Sequence, residues 1–102
     1  MVGRKLAEEE ARAGRRGEAL SILDRVLKIG AWAEQRRSTT ARALAPRAYA
    51  AAGSVHALLK DPAAANDWYQ KAVTAWRALE HEPAFSAAYR KEMEAAARGT
   101  GR

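Results

Sequence analysis

The sequence contains no cysteine, three prolines and a single phenylalanine. Without thiols there is no disulfide framework and no thiolate to serve as nucleophile or metal ligand, which suits a reducing compartment. β-Branched residues are sparse and alanine is abundant, a balance that favours helix over sheet. No uninterrupted apolar run approaches the roughly 20 residues that cross a bilayer. The first ten residues, MVGRKLAEEE, lack the apolar core of a secretory leader. The expectation is a cytoplasmic chain with no membrane partner.

Catalytic signatures are also missing. The two histidines, His56 and His81, are far apart and outside any H-E-x-x-H spacing, and no serine sits in a G-x-S-x-G setting. Glu8, Glu9 and Glu10 are consecutive, so on a helix their carboxylates point in different directions and form a solvated face rather than an acid pair. The sequence therefore predicts no catalytic residues, no metal and no cofactor.

What is present is helical patterning over 102 residues, enough for one domain. Residues 2–13 form a first helix with a thin apolar face of Leu6, Ala7 and Ala11. Residues 18–29 form a second, with Ala19, Leu20, Leu23, Val26 and Leu27 as its stripe and Gly30 as its stop. The short connection predicts an antiparallel hairpin over about 2–30. The third segment, from about Ala33 to Leu59, is expected to be one long helix bent near Pro46 or two helices meeting there. Gly53 within it implies that another backbone comes close. Asp61 caps the best-marked helix and Pro62 suits its first position. Ala65, Trp68, Ala72, Ala75, Trp76 and Leu79 then recur at helical spacing to close a second, longer hairpin over about 33–81. Pro83 breaks the chain before a capping helix over about 84–97, whose Phe85, Tyr89 and Met93 cover the preceding apolar face, and GTGR reads as a frayed tail. Trp68 and Trp76 are expected in the core, and Trp32, near a helix boundary, is the one aromatic expected outside.

Two stretches are related. Leu6-Ala7 followed by Ala19 and Leu23 aligns with Ala52-Gly53 followed by Ala65 and Tyr69 at a constant offset of 46 residues. On Tyr49, Ala52, Gly53 and His56, then Ala65, Tyr69 and Ala72, the second unit resembles the tetratricopeptide repeat. The offset exceeds that repeat's period of about 34, with the extra residues around Ala31–Leu44. WYQKAVTAW with its short cap is also similar to helical-repeat tails that follow bacterial serine/threonine kinase domains, though the kinase motifs themselves are absent. The resemblance implies an all-α fold of about five helices, with antiparallel hairpins stacked as a short solenoid. It also implies a groove lined by the first helix of each unit, at Arg4, Glu8 and Arg12 and at Arg47, Ser54 and Ala57. The Lys and Asn of the family's peptide-carboxylate clamp are missing from those places.

The implied function is a non-catalytic protein-interaction or scaffolding module whose partner is another protein or peptide. A second expectation comes from charge. The formal net charge is +6. Residues 1–60 hold twelve Lys/Arg against six Asp/Glu, whereas residues 61–102 hold six of each. No acid occurs between Gln35 and Lys60, so Arg36, Arg37, Arg42, Arg47 and Lys60 form a candidate patch for nucleic acid or another polyanion. Such a charge run is more often a solvated face, and nucleic acid ranks below a protein partner. The thin face of residues 2–13 suggests a third reading, a capping or homodimerising element of a larger repeat protein.

Overall fold

The structure of the protein, a computed structural model, describes residues 2–100. In chain order the segments are α1 (Val2–Arg12), α2 (Arg16–Ala33), α3 (Thr39–Arg42), α4 (Leu44–Leu58), α5 (Pro62–Leu79) and α6 (Ala87–Arg98). The chain is all-α: five helices and one single-turn segment, with no strand among the described residues.

Three of the starts carry a side-chain cap, at α3, α5 and α6. The Asp61 carboxylate accepts from the Ala64 amide at 3.2 Å, and Pro62 occupies the first turn of α5, where its missing N–H costs nothing. Ser86 caps α6 and Ser38 caps α3, by accepting from the amides of Tyr89 and Ala41. Ser38 is thus a start signal, although in sequence it counts only as a weak helix former.

Three sequence expectations need correction. Gly30 does not end the second helix, which runs on to Ala33. Gly30 is buried, and a Cβ there would stand 2.7 Å from the Cβ of Ala48, so the glycine lets α2 and α4 approach. The third segment divides near Pro46, into α3 and α4, with the break at Ala43 and Pro46 in the first turn of α4. The ring of Pro46 is incompatible with a helical carbonyl four residues earlier, at Arg42, which is the last residue of α3. The second hairpin accordingly begins at Leu44, and residues 34–38 are not helical. In the tail, Gly99 and Thr100 are held in place. The Thr100 hydroxyl donates to the Ala97 carbonyl at 2.6 Å, and a Cβ on Gly99 would meet the Tyr69 ring at 2.7 Å. Gly101 and Arg102 lie outside the described residues, as does Met1.

α4 is the hub. It packs against α1, α2 and α5, while α6 lies on α5. Small residues allow this: Ala48, Ala51 and Ala52 are fully buried, and Ala7, Ala11, Ala19, Leu23, Val26 and Val55 complete the first core cluster. Tyr49, Ala33, Ala45, Ala72 and Ala96 form a second cluster. Trp76, Leu79 and Ala43 form a third, which Phe85, Tyr89 and Met93 cover. Tyr89 and Met93 of the last helix thus cover the apolar face of α5, but the helix starts at Ala87, after its Ser86 cap, rather than at about 84, and Phe85 joins them from the preceding turn. Trp76 is buried and Trp68 half-buried, stacked on Tyr49 with ring centroids 6.0 Å apart. Trp32 is 53% exposed, as its boundary position suggested. The Tyr49 hydroxyl donates to the Glu34 carboxylate, and burial, reinforced by that carboxylate, pushes its pKa above the usual tyrosine range.

Candidate interaction groove

α1 and α4 run side by side in the same direction, because Arg4 lies near Arg47 and Ala50 while Glu8 meets Ser54 one turn further along. The helical repeat dictates which side chains share this face. Arg4 and Glu8 are one turn apart on α1, and Arg47, Ala50, Ser54 and Ala57 follow at spacings of three and four on α4. α6 closes the far side with Glu92, Ala95 and Ala96. A cleft of about 450 Å³ lies between Arg4, Leu44, Arg47 and Glu92, and a second hollow of about 250 Å³ adjoins it along Ala50, Ala95 and Ala96.

The polar groups of the cleft are paired within the chain. The Ser54 hydroxyl donates to the Glu8 carboxylate, which also accepts from Arg4 Nε at 3.1 Å. Burial acts to raise the Glu8 pKa, but the bonds from Ser54 and Arg4 and the charges of Arg4 and Arg12 outweigh it and hold the carboxyl below its ordinary value. Arg47 forms a two-pronged pair with Glu92, at 2.8 and 2.7 Å, and its guanidinium lies 5.3 Å from the Tyr89 ring centre. That bond raises the Arg47 pKa. The arrangement has apolar ground at Leu44 and Ala50 between two half-exposed cations, Arg4 and Arg47, each already facing one carboxylate. It can hold a side chain or short helix by shape and by exchange of those carboxylates.

Four of the six groove residues named from sequence, Arg4, Glu8, Arg47 and Ser54, thus come together. Arg12 is exposed near Glu8, towards the end of α1. Ala57 lines a separate hollow of about 530 Å³, with Lys60, Pro62, Ala65, Asn66, Tyr69 and Gly99. Glu92 and Leu44 were not singled out in sequence. The acid that answers Arg47 sits 45 residues downstream, and only the tertiary fold brings it there.

The basic segment is dispersed. Arg42 is paired with Glu82 at 2.9 Å and Arg47 with Glu92, while Arg36 lies over Trp32 at 4.8 Å. Arg37 is exposed in the loop after α2. Lys60, with φ 63°, lies beyond the opposite end of α4 from Arg47. The acid-free stretch of sequence is therefore partly neutralised by acids from beyond it. Among the described residues no cluster of His, Asp and Glu is arranged to hold a metal ion, and no helix is long and apolar enough to cross a membrane. His56 is half-buried with Nδ1 unpartnered, and His81 is exposed in the turn after α5. Comparison with models of protein families, with curated proteins and with solved structures returns no match.

Proposed function

We propose that the protein is a non-catalytic protein-interaction module of the cytoplasm, built from tetratricopeptide-like hairpins, that takes a peptide or helix of a partner in the cleft between α1, α4 and α6. One observation carries the reading. Glu8 and Ser54, which touch across α1 and α4, stand 46 residues apart, the same offset that aligns the two sequence units. Equivalent positions on first helices meeting in this way is what stacked hairpins require, and it is those helices that line the cleft. The paired charges suit a ligand bearing both signs, because such a ligand can replace Glu92 on Arg47 and Arg4 on Glu8, and the displaced Glu92 and Arg4 side chains are exposed enough to be taken up by solvent.

The test is selection of displayed random peptides on the folded chain, followed by measured affinities for two variants. Ala50→Phe fills the cleft and Ala57→Phe fills the separate hollow. Selected peptides are expected to lose about tenfold or more in affinity for the first and to bind the second unchanged. Equal binding to both, or no enrichment at all, removes the reading.

A further inference from the structure

Of the twelve residues of α6, four are turned away from water: Tyr89, Glu92, Met93 and Ala96. They stand at i, i+3, i+4 and i+7, the spacing by which a lone amphipathic helix anchors in a groove. Each has its own seat on α4 or α5. The rings of Tyr89 and Trp76 have their centres 5.5 Å apart, and the Arg47 guanidinium lies 5.3 Å from the Tyr89 ring centre. Glu92 takes both prongs of Arg47. Met93 packs on the cluster of Trp76 and Leu79, and Ala96, 2% exposed, joins that of Tyr49 and Ala72.

The hold is thin for a helix of this length. α6 buries Ala96 alone, whereas α5 buries Ala65, Ala72, Trp76 and Leu79. Its other side, with Arg90, Lys91, Glu94 and Arg98, faces water. Residues 80–86 join it to α5, and in that turn His81, Pro83 and Ala84 are exposed and the Arg90–Glu80 pair that spans it, at 2.9 Å, is partly so. The helix thus sits on α4 and α5 as a tethered ligand sits on its receptor. A free helix with the same stripe would make the same contacts and would have to overcome the tether, which keeps α6 at an effective concentration on the order of millimolar.

On the reading of the cleft as the binding surface, we propose that the partner is an amphipathic helix bearing the stripe of α6, and that it binds by displacing α6. Its aromatic residue lies on Trp76, its acid, three positions on, meets Arg47, and a small residue seven positions on enters the seat of Ala96. α6 is then the competitor built into the chain, shielding Trp76 until a partner takes its place.

A synthetic peptide of residues 85–98 is the probe, titrated against the full chain and against its Glu92→Lys variant. That substitution sets a cation against Arg47 and loosens the tethered helix, while the peptide keeps its own glutamate. The peptide is expected to bind the variant roughly five- to tenfold more tightly than the parent. A peptide that itself carries Glu92→Lys should lose a similar factor on both proteins. With the chain isotope-labelled, so that NMR sees its amides alone, the unmodified peptide should quicken hydrogen exchange within 87–98 while α2 keeps its protection. Equal affinity for parent and variant, no binding to either, or binding that leaves exchange within 87–98 unchanged overturns the proposal. Peptides selected on the cleft that bind while α6 keeps its exchange rates remove displacement and leave the cleft as a binding surface.

Discussion

The Tyr69 ring occupies the space that a side chain at Gly53 would need: a Cβ on Gly53 would stand 2.8 Å from its Cδ2 and 2.9 Å from Cδ1 and Cε2. The sequence implied a close approach of α5 at Gly53, and the group that meets it there is the ring of Tyr69. A Cβ on Gly99 would likewise meet this ring, at 2.7 Å, so the ring is hemmed in on that side too.

Gly53→Ala is therefore expected to destabilise the fold by about 1–3 kcal/mol through overpacking, although alanine is the better helix former by roughly 1 kcal/mol. In a Tyr69→Ala background the same change should stabilise, since the ring is gone and only the propensity remains. Urea unfolding of the four proteins gives the comparison, and a Gly53→Ala effect of one sign in both backgrounds refutes it.

Ala65 is 5% exposed at the crossing of α4 and α5, whereas Ala63, two residues earlier, faces solvent. Ala65→Leu should cost about 1–3 kcal/mol and Ala63→Leu under about 0.5 kcal/mol. Equal urea midpoints would mean that the register of α5 is different.

Glu8 supplies a pH dependence. Its folded pKa lies below its unfolded one, so its contribution is fully present above the unfolded carboxylate value of about 4.3 and is lost as pH falls through the folded value. Glu8→Gln should accordingly be less stable than the parent at pH 7, with the gap closing in acid. Unfolding midpoints of both proteins between pH 7 and pH 3 measure this, and a gap that does not narrow contradicts it.

Arg47 joins α4 to α6 through its two bonds to Glu92. Both side chains are about a third exposed, at 34% and 38%, so solvent discounts the pair. Arg47→Lys keeps the charge but loses the fork, and is expected to cost about 0.5–1 kcal/mol. Hydrogen exchange should quicken within 87–98 while α2 keeps its protection. Uniform loss across the chain would show that α6 is not separately anchored.

The parts of the fold legible in sequence are those with local causes. Asp61-Pro62 marks α5 because cap and first turn are neighbours in the chain. The spacing of Tyr89 and Met93 places α6 because one face of one helix suffices to see it, whereas Phe85 lies before the Ser86 cap and reaches the same cluster from the connecting turn. Gly30 misled for the opposite reason: a glycine stop is a local rule, and here Ala48, from another helix, decides, whereas Pro46 divides the third segment by the local clash with the Arg42 carbonyl. The same divide runs through the cleft. Arg4, Glu8, Arg47 and Ser54 were reachable from the resemblance to the repeat family, which assigns the groove to the first helix of each unit. Glu92 was not, since no pattern along the chain ties α6 to the start of α4. Charge counting along residues 36–60 likewise could not see Glu82 and Glu92 reaching across to Arg42 and Arg47.

The niche of Tyr69 also orders events in time. α1 with α2, and α4 with α5, are partners close in sequence, so each can pair soon after it leaves the ribosome. Tyr69 follows Gly53 closely in the chain, whereas Gly99 comes thirty residues after it. Until α6 has been made and has docked, one of the ring's two glycine neighbours is missing and that side of the aromatic is open to water.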